Sequence, residues 1–118
     1  MRVVIADNDP DALELALTDL RLEGHEVHPA TDAAGARALV ETVGPDVVVL
    51  DHRMPPGPTG LELAEELVGV GTTARIVIYS NYQDPTLRAR AALIDVPFLA
   101  KGNLRTLRAA VEGQVHGG

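Results

Sequence analysis

Five times along this chain a short run of apolar β-formers is followed by a segment of helical spacing, and this alternation constrains the fold more than any single residue does. The runs are "RVVIA" (Arg2 to Ala6), "HEVHPA" (His25 to Ala30), "DVVVL" (Asp46 to Leu50), "ARIVIY" (Ala74 to Tyr79) and "VPFLA" (Val96 to Ala100). Strands that are apolar on both faces and interleaved with helices belong in a parallel sheet covered on both sides. Right-handed crossovers leave few topologies for five such units. The leading one is a three-layer, doubly wound α/β fold, (βα)5, with a parallel five-stranded sheet of order 2-1-3-4-5. Five strands are too few for a TIM barrel.

The helical segments carry their own punctuation. Asp9 can cap the first, with Pro10 at its first position and Gly24 at its end. Thr59 and Glu62 stand at capping-box spacing, which explains Thr59 as a helix start before any chemistry is invoked. Asp84 and Pro85 open the fourth segment, and Asn103 caps "LRTLRAAVEGQV".

At 118 residues the chain is read as one domain, 1–118, with a real core. No apolar run approaches the roughly 20 residues of a membrane span, and no basic segment precedes a secretory apolar one, so a soluble cytoplasmic protein without membrane contact is expected. The absence of cysteine removes disulfides, thiolate nucleophiles and cysteine zinc sites. Net charge is -7, and the acids crowd the first half, which cannot favour a phosphate backbone. Nine of the ten basic residues are arginine; Lys101 is the single lysine.

In a doubly wound sheet, ligands bind beyond the carboxyl ends of the strands, at the switch point between the first and third. Strand one ends in Asp7, Asn8 and Asp9, strand three in Asp51, strand four in Ser80 and strand five in Lys101. Two neighbouring carboxylates call for a cation between them, and an all-oxygen set suits Mg²⁺ better than zinc. A hydroxyl and an ammonium opposite are what phosphoryl oxygens accept. Neither G-x-x-x-x-G-K-[ST] nor G-x-G-x-x-G is present, so a nucleotide cradle is missing and the protein itself must carry the phosphoryl group. Asp51, alone at the end of the central strand, is the better nucleophile, giving an aspartyl phosphate. Taken singly, Ser80 reads equally as a turn hydroxyl and Phe98 as core. The histidines His25, His28, His52 and His116 lack ligand spacing and read as surface or packed residues. Arg88, Arg90, Arg105 and Arg108 read as a solvated face, with a partner surface as the second reading.

"VVIADNDP", "PDVVVLDHRMP", "ARIVIYSN" and "PFLAKG", in this order and spacing, resemble the response regulator receiver domains of two-component signalling over nearly the whole chain. The resemblance implies the flavodoxin-like fold of the CheY-like superfamily. It implies that Asp51 takes a phosphoryl group from the phosphohistidine of a sensor histidine kinase. Asp7, Asn8, Asp51 and the backbone carbonyl of Arg53 would hold Mg²⁺, Ser80 would bind a phosphoryl oxygen and Lys101 would pair with it. Phe98 matches the aromatic switch position that moves with Ser80, and Arg53 and Tyr82 match positions that tune phosphate loss. Such a domain is a self-phosphorylating and self-dephosphorylating switch rather than a turnover enzyme. A homodimer through the last helix-strand-helix face fits the resemblance, and DNA would be bound only through an output domain outside this chain.

Two departures bear on function. Asn8 stands where the family usually has an acid, which leaves one negative charge fewer for the metal, and the loop after Met54-Pro55 is one residue longer than usual. Asp9 could substitute, although its place before Pro10 favours the cap. Asn8 also keeps open a pseudo-receiver, a binding module that works without phosphorylation. A haloacid-dehalogenase-like phosphatase, read from the D-x-D of "DND", leaves Asp51 unexplained, and 3% aromatics are too few to hold a flavin.

Overall fold

A computed structural model describes residues 1–113 and carries five βα units in the expected order. The elements are β1 (Arg2–Ala6), α1 (Pro10–Leu22), β2 (Glu26–Ala30), α2 (Ala33–Val43), β3 (Val47–Leu50), α3 (Gly60–Gly69), β4 (Arg75–Ser80), α4 (Pro85–Leu93), β5 (Phe98–Ala100) and α5 (Leu104–Val111). All strand pairs are parallel and the sheet order is β2-β1-β3-β4-β5, as the crossover rule predicts.

Side chains alternate across the sheet and feed two separate cores. Val4, Ala6, Val48, Leu50, Ile76, Ile78 and Phe98 face α2, α3 and α4, where Ala33, Ala36, Leu61, Ala64 and Ala91 meet them. On the other face Val3, Ile5, Val47, Val49, Val77 and Tyr79 meet Leu13, Leu17 and Leu20 of α1 with Leu107 and Val111 of α5. Full burial of each such aliphatic side chain stabilises the fold by about 1.5–3 kcal/mol, so the central strands β1, β3 and β4 carry most of the apolar stabilisation.

Every helix begins on a side-chain cap. Asp9 accepts from the N–H of Asp11 and Ala12, Asp32 from Gly35, Asp84 from Thr86 and Asn103 from Thr106. Thr59 and Glu62 form the reciprocal capping box that their spacing predicts, at 3.1 and 2.9 Å. The boundaries differ from the sequence reading in places. Asp46 lies outside β3, its side chain accepting instead from the Arg2 N–H at 2.8 Å. Ser80 closes β4 rather than following it, and β5 shortens to three residues because Pro97 has no N–H to give a ladder. Helix α5 ends at Val111 with Glu112 as its cap; the expected continuation through Gln114 and Val115, like His116, lies outside the described residues.

Candidate functional site

Parallel register decides what meets at the carboxyl edge. Ala6 lies beside Leu50, Leu50 beside Ile78, and Ser80 beside Ala100, so the residues that end β1, β3, β4 and β5 emerge together. Backbone bonds extend the ladder by one step at each seam, from Asp51 N–H to the Ala6 carbonyl at 2.9 Å and from Lys101 N–H to the Ser80 carbonyl at 3.1 Å. Asp7, Asp51 and Ser80 are all buried, although their side chains are polar. Asp51 and Ser80 share a depression of about 370 Å³ with Asn8, Asp9, Arg53, Asn81, Tyr82 and Lys101.

Lys101 ties the two acids together. Its ammonium lies 2.6 Å from Asp7 Oδ2 and 3.4 Å from Asp51 Oδ2, so the shorter bond goes to the acid on the more distant strand. Asp7 Oδ1 also accepts from the Asp9 N–H at 2.9 Å, which fixes that carboxylate on both sides. Asp51 is less well served. Burial and the charge of Asp7 raise its pKa to about 6, and Lys101 opposes them only in part. For Lys101, burial alone would lower the pKa; the bond to Asp7 and the two acid charges outweigh it and hold the ammonium above its ordinary value. The edge therefore contains a fixed acid, Asp7, and a strained one, Asp51, which stands to gain from a cation or from esterification.

The donor set is hard and oxygen-rich. Two buried carboxylates and the Asn8 amide stand at this edge, and among the described residues no group of three or more His, Cys, Asp or Glu is placed to hold a metal ion without other ligands. Such a set fits a hydrated divalent ion held by two carboxylates, as Mg²⁺ is, rather than a closed four-ligand cage. Asp9 is committed to its helix cap through Oδ1, in line with the capping reading.

Ser80 is set by a local turn. Its Oγ accepts from the Tyr82 N–H at 3.1 Å, which leaves the O–H free to donate into the depression. The loop after Asp51 is held from the other side. Met54 is buried, and the Gly60 N–H donates to the His52 carbonyl at 2.8 Å. A Cβ on Gly60 would stand 2.0 Å from the Asp51 carbonyl oxygen, so only glycine lets α3 start this close to the end of β3.

One pairing escaped sequence reasoning. Of the two readings of His52, surface or packed, the packed one holds: its ring is stacked on Tyr82 with ring centroids 5.8 Å apart and planes 13° apart, and it stands 6.2 Å from the Phe98 ring. The Arg53 guanidinium sits 4.3 Å from the Tyr82 ring centroid. Burial, followed by the charges of Arg53 and Arg90, pushes the His52 pKa below that of an ordinary imidazole. Nothing in the spacing of His52 and Tyr82 signals the pairing, because it forms between loops after different strands. Of the four arginines read as a face, three are engaged: Arg88 with the Phe98 carbonyl, Arg90 with Glu65 and Arg108 with Asp19.

Comparison with known proteins places this arrangement. The family model for the response regulator receiver domain matches residues 3–112. The probable transcriptional regulatory protein NarL of Mycobacterium tuberculosis is 32% identical over 109 residues, 90% of this chain and 50% of that protein. The solved receiver domain of NarL from the same organism superposes with a TM-score of 0.82 at 28% identity, covering 96% of this chain and 97% of that one. The response regulator TrrA of Thermotoga maritima, solved in complex with Mg(2+)-BeF, superposes at 0.83 and 27% identity, over 97% and 98% of the two chains. The chain spans about half the length of the curated relatives it matches first. With five parallel strands in the order 2-1-3-4-5 and acids, hydroxyl and lysine gathered at their carboxyl edge, this chain belongs to the response regulator receiver domain family.

Proposed function

We propose that residues 1–118 form a single receiver domain in which Asp51 accepts a phosphoryl group from the phosphohistidine of a sensor histidine kinase. The N–P bond of the donor breaks, an O–P bond forms at an Asp51 carboxylate oxygen, and the donor imidazole leaves with the electron pair. The carrying observation is the one lysine of the chain held between two buried acids, 2.6 Å from Asp7 and 3.4 Å from Asp51. Lys101 is already in reach of Asp51 and pairs with a phosphoryl oxygen placed there, while the Ser80 hydroxyl donates to another.

Asp7, Asn8, Asp51 and the backbone carbonyl of Arg53 are the residues that would hold Mg²⁺; that TrrA was solved in complex with Mg(2+)-BeF supports Mg²⁺ as the ion. Bound there, the ion offsets the negative charge that accumulates on the phosphoryl oxygens during transfer. Asn8 leaves the site with one acid fewer, so its affinity for Mg²⁺ is weaker than that of a receiver with an acid at this place.

Esterified Asp51 draws Ser80 and the loop after β4 inward, and Phe98 moves with them. The phosphoryl group biases a two-state element, so the response is graded by differential stability. The relatives that share the family are named as transcriptional regulators. That likeness supports transcriptional output, which we read as acting through a helix-turn-helix DNA-binding domain outside this chain, with pairing through the α4-β5-α5 face as part of the same proposal. Location in the cytoplasm belongs to the same reading; among the described residues no helix is long and apolar enough to cross a membrane.

Incubation with acetyl phosphate, with and without Mg²⁺, followed by intact mass, tests the assignment against an Asp51→Asn variant. One added phosphoryl group that needs both Mg²⁺ and Asp51 is the expected result. No addition to the unsubstituted protein under any condition would replace this reading by a phosphorylation-independent module, the alternative that Asn8 keeps open.

A further inference from the structure

Beside the depression His52, Tyr82, Phe98 and Arg53 form a cluster with His52 at its buried end. The His52 carbonyl is pinned by the Gly60 N–H at 2.8 Å, and its ring stacks on Tyr82 and stands tilted beside Phe98. Tyr82 in turn carries the Arg53 guanidinium on its ring at 4.3 Å. Arg53 and Tyr82 both line the depression into which a group on Asp51 would project, whereas His52 does not. His52 is 7% exposed and, among the described residues, its Nδ1 is buried without a hydrogen-bond partner, so the ring is seated by packing.

Arg53 and Tyr82 are both exposed and come from separate loops, so neither is fixed by a core of its own. An exposed arginine-tyrosine contact is weak and loses side-chain entropy on forming. What orders it is the buried ring behind Tyr82. We infer that His52 is a positioning residue that governs how long a phosphoryl group survives on Asp51, by holding Tyr82 and through it Arg53 across the mouth of the depression. The inference rests on Asp51 being the phosphoacceptor.

Loss of the group is a hydrolysis. The oxygen of a water bonds to phosphorus, the P–O bond to Asp51 breaks, the carboxylate keeps the electron pair, and the proton of the water passes to the released inorganic phosphate. That water must arrive opposite the breaking bond, from the open side of the depression, where Arg53 and Tyr82 stand. Removing the support behind them opens the path without touching Asp51, Ser80 or Lys101.

The test loads the protein with acetyl phosphate and Mg²⁺, removes the donor by rapid desalting, and follows loss of the added mass with time. His52→Ala should lose the group several-fold faster than the unsubstituted protein. His52→Phe, which keeps an aromatic ring behind Tyr82 and deletes the orphaned nitrogen, should decay within about twofold of it. Tyr82→Ala should decay like His52→Ala, and adding His52→Ala to it should give no further acceleration. Thermal melting of each variant separates faster decay from partial unfolding. Equal decay of His52→Ala and the unsubstituted protein would overturn the inference, and so would a His52→Phe that decays as fast as His52→Ala. Failure of the unsubstituted protein to take up any phosphoryl group is a different result, and it would remove the Asp51 assignment itself.

Discussion

Helices α3 and α4 cover the same face of the sheet and border the same site, yet they are attached in different ways. Helix α3 starts on a reciprocal capping box, presses Gly60 against the backbone of Asp51, and buries Leu61, Leu63, Ala64 and Leu67. Helix α4 starts on the simple Asp84 cap and buries only Ala91 fully, with Leu87 and Ile94 half covered and Leu93 85% exposed. Arg90 adds an ion pair to Glu65 of α3, but both side chains are well exposed and such pairs contribute about 0–1 kcal/mol. The difference teaches which side of the site can move. The loop that follows Ser80 and bears Tyr82 leads into the helix with the least to lose, while the loop after Asp51 leads into the helix that is locked.

The largest expected effect lies on the locked side. Leu61→Ala, at a fully buried position, should cost about 3 kcal/mol in urea unfolding, whereas Leu93→Ala on α4 should fall within about 0.5 kcal/mol of the unsubstituted protein. Comparable losses for the two would erase the contrast. Next comes the charge that both helices flank. The raised pKa of Asp51 means that the stability linked to its proton is full below about 3.8 and lost as pH rises through about 6. Without divalent metal, Asp51→Asn should therefore melt higher at pH ~8, by the equivalent of about 1–2 kcal/mol, and the advantage should vanish near pH ~4. An advantage that persists in acid would show that charge is not its origin.

Smaller effects refine the comparison. Thr59→Ala breaks the capping box of α3 and should cost about 1 kcal/mol of global stability. Asp84→Ala should cost less than this in global unfolding, while speeding hydrogen exchange of the α4 amides, because α4 opens before the rest of the domain unfolds. Arg90→Ala should be the least of these, below about 0.5 kcal/mol by urea unfolding.

Much of this was legible from residue order. The sheet topology follows from five apolar runs and the handedness of crossovers, and the topology by itself brings Asp7, Asp51, Ser80 and Lys101 to one edge. Local rules found the caps at Asp9, Thr59, Asp84 and Asn103, because a cap is a contact within four residues. The rest was not local. That Lys101 sits closer to Asp7 than to Asp51 depends on side-chain reach across three strands. The place of His52 depends on two loops meeting, and the weak seat of α4 on how far its half-covered leucine and isoleucine sink into the core. Spacing carries none of these distances.

The chain contains no tryptophan and only two tyrosines, Tyr79 and Tyr82. Tyr79 is buried in β4, its hydroxyl oxygen accepting from the Gly102 N–H at 3.2 Å, while Tyr82 is exposed between an imidazole and a guanidinium. One chromophore is thus embedded in the scaffold and the other in the site. Any change in near-ultraviolet circular dichroism or tyrosine emission when the site is loaded reports chiefly on Tyr82, which gives the domain an intrinsic optical probe that needs no label.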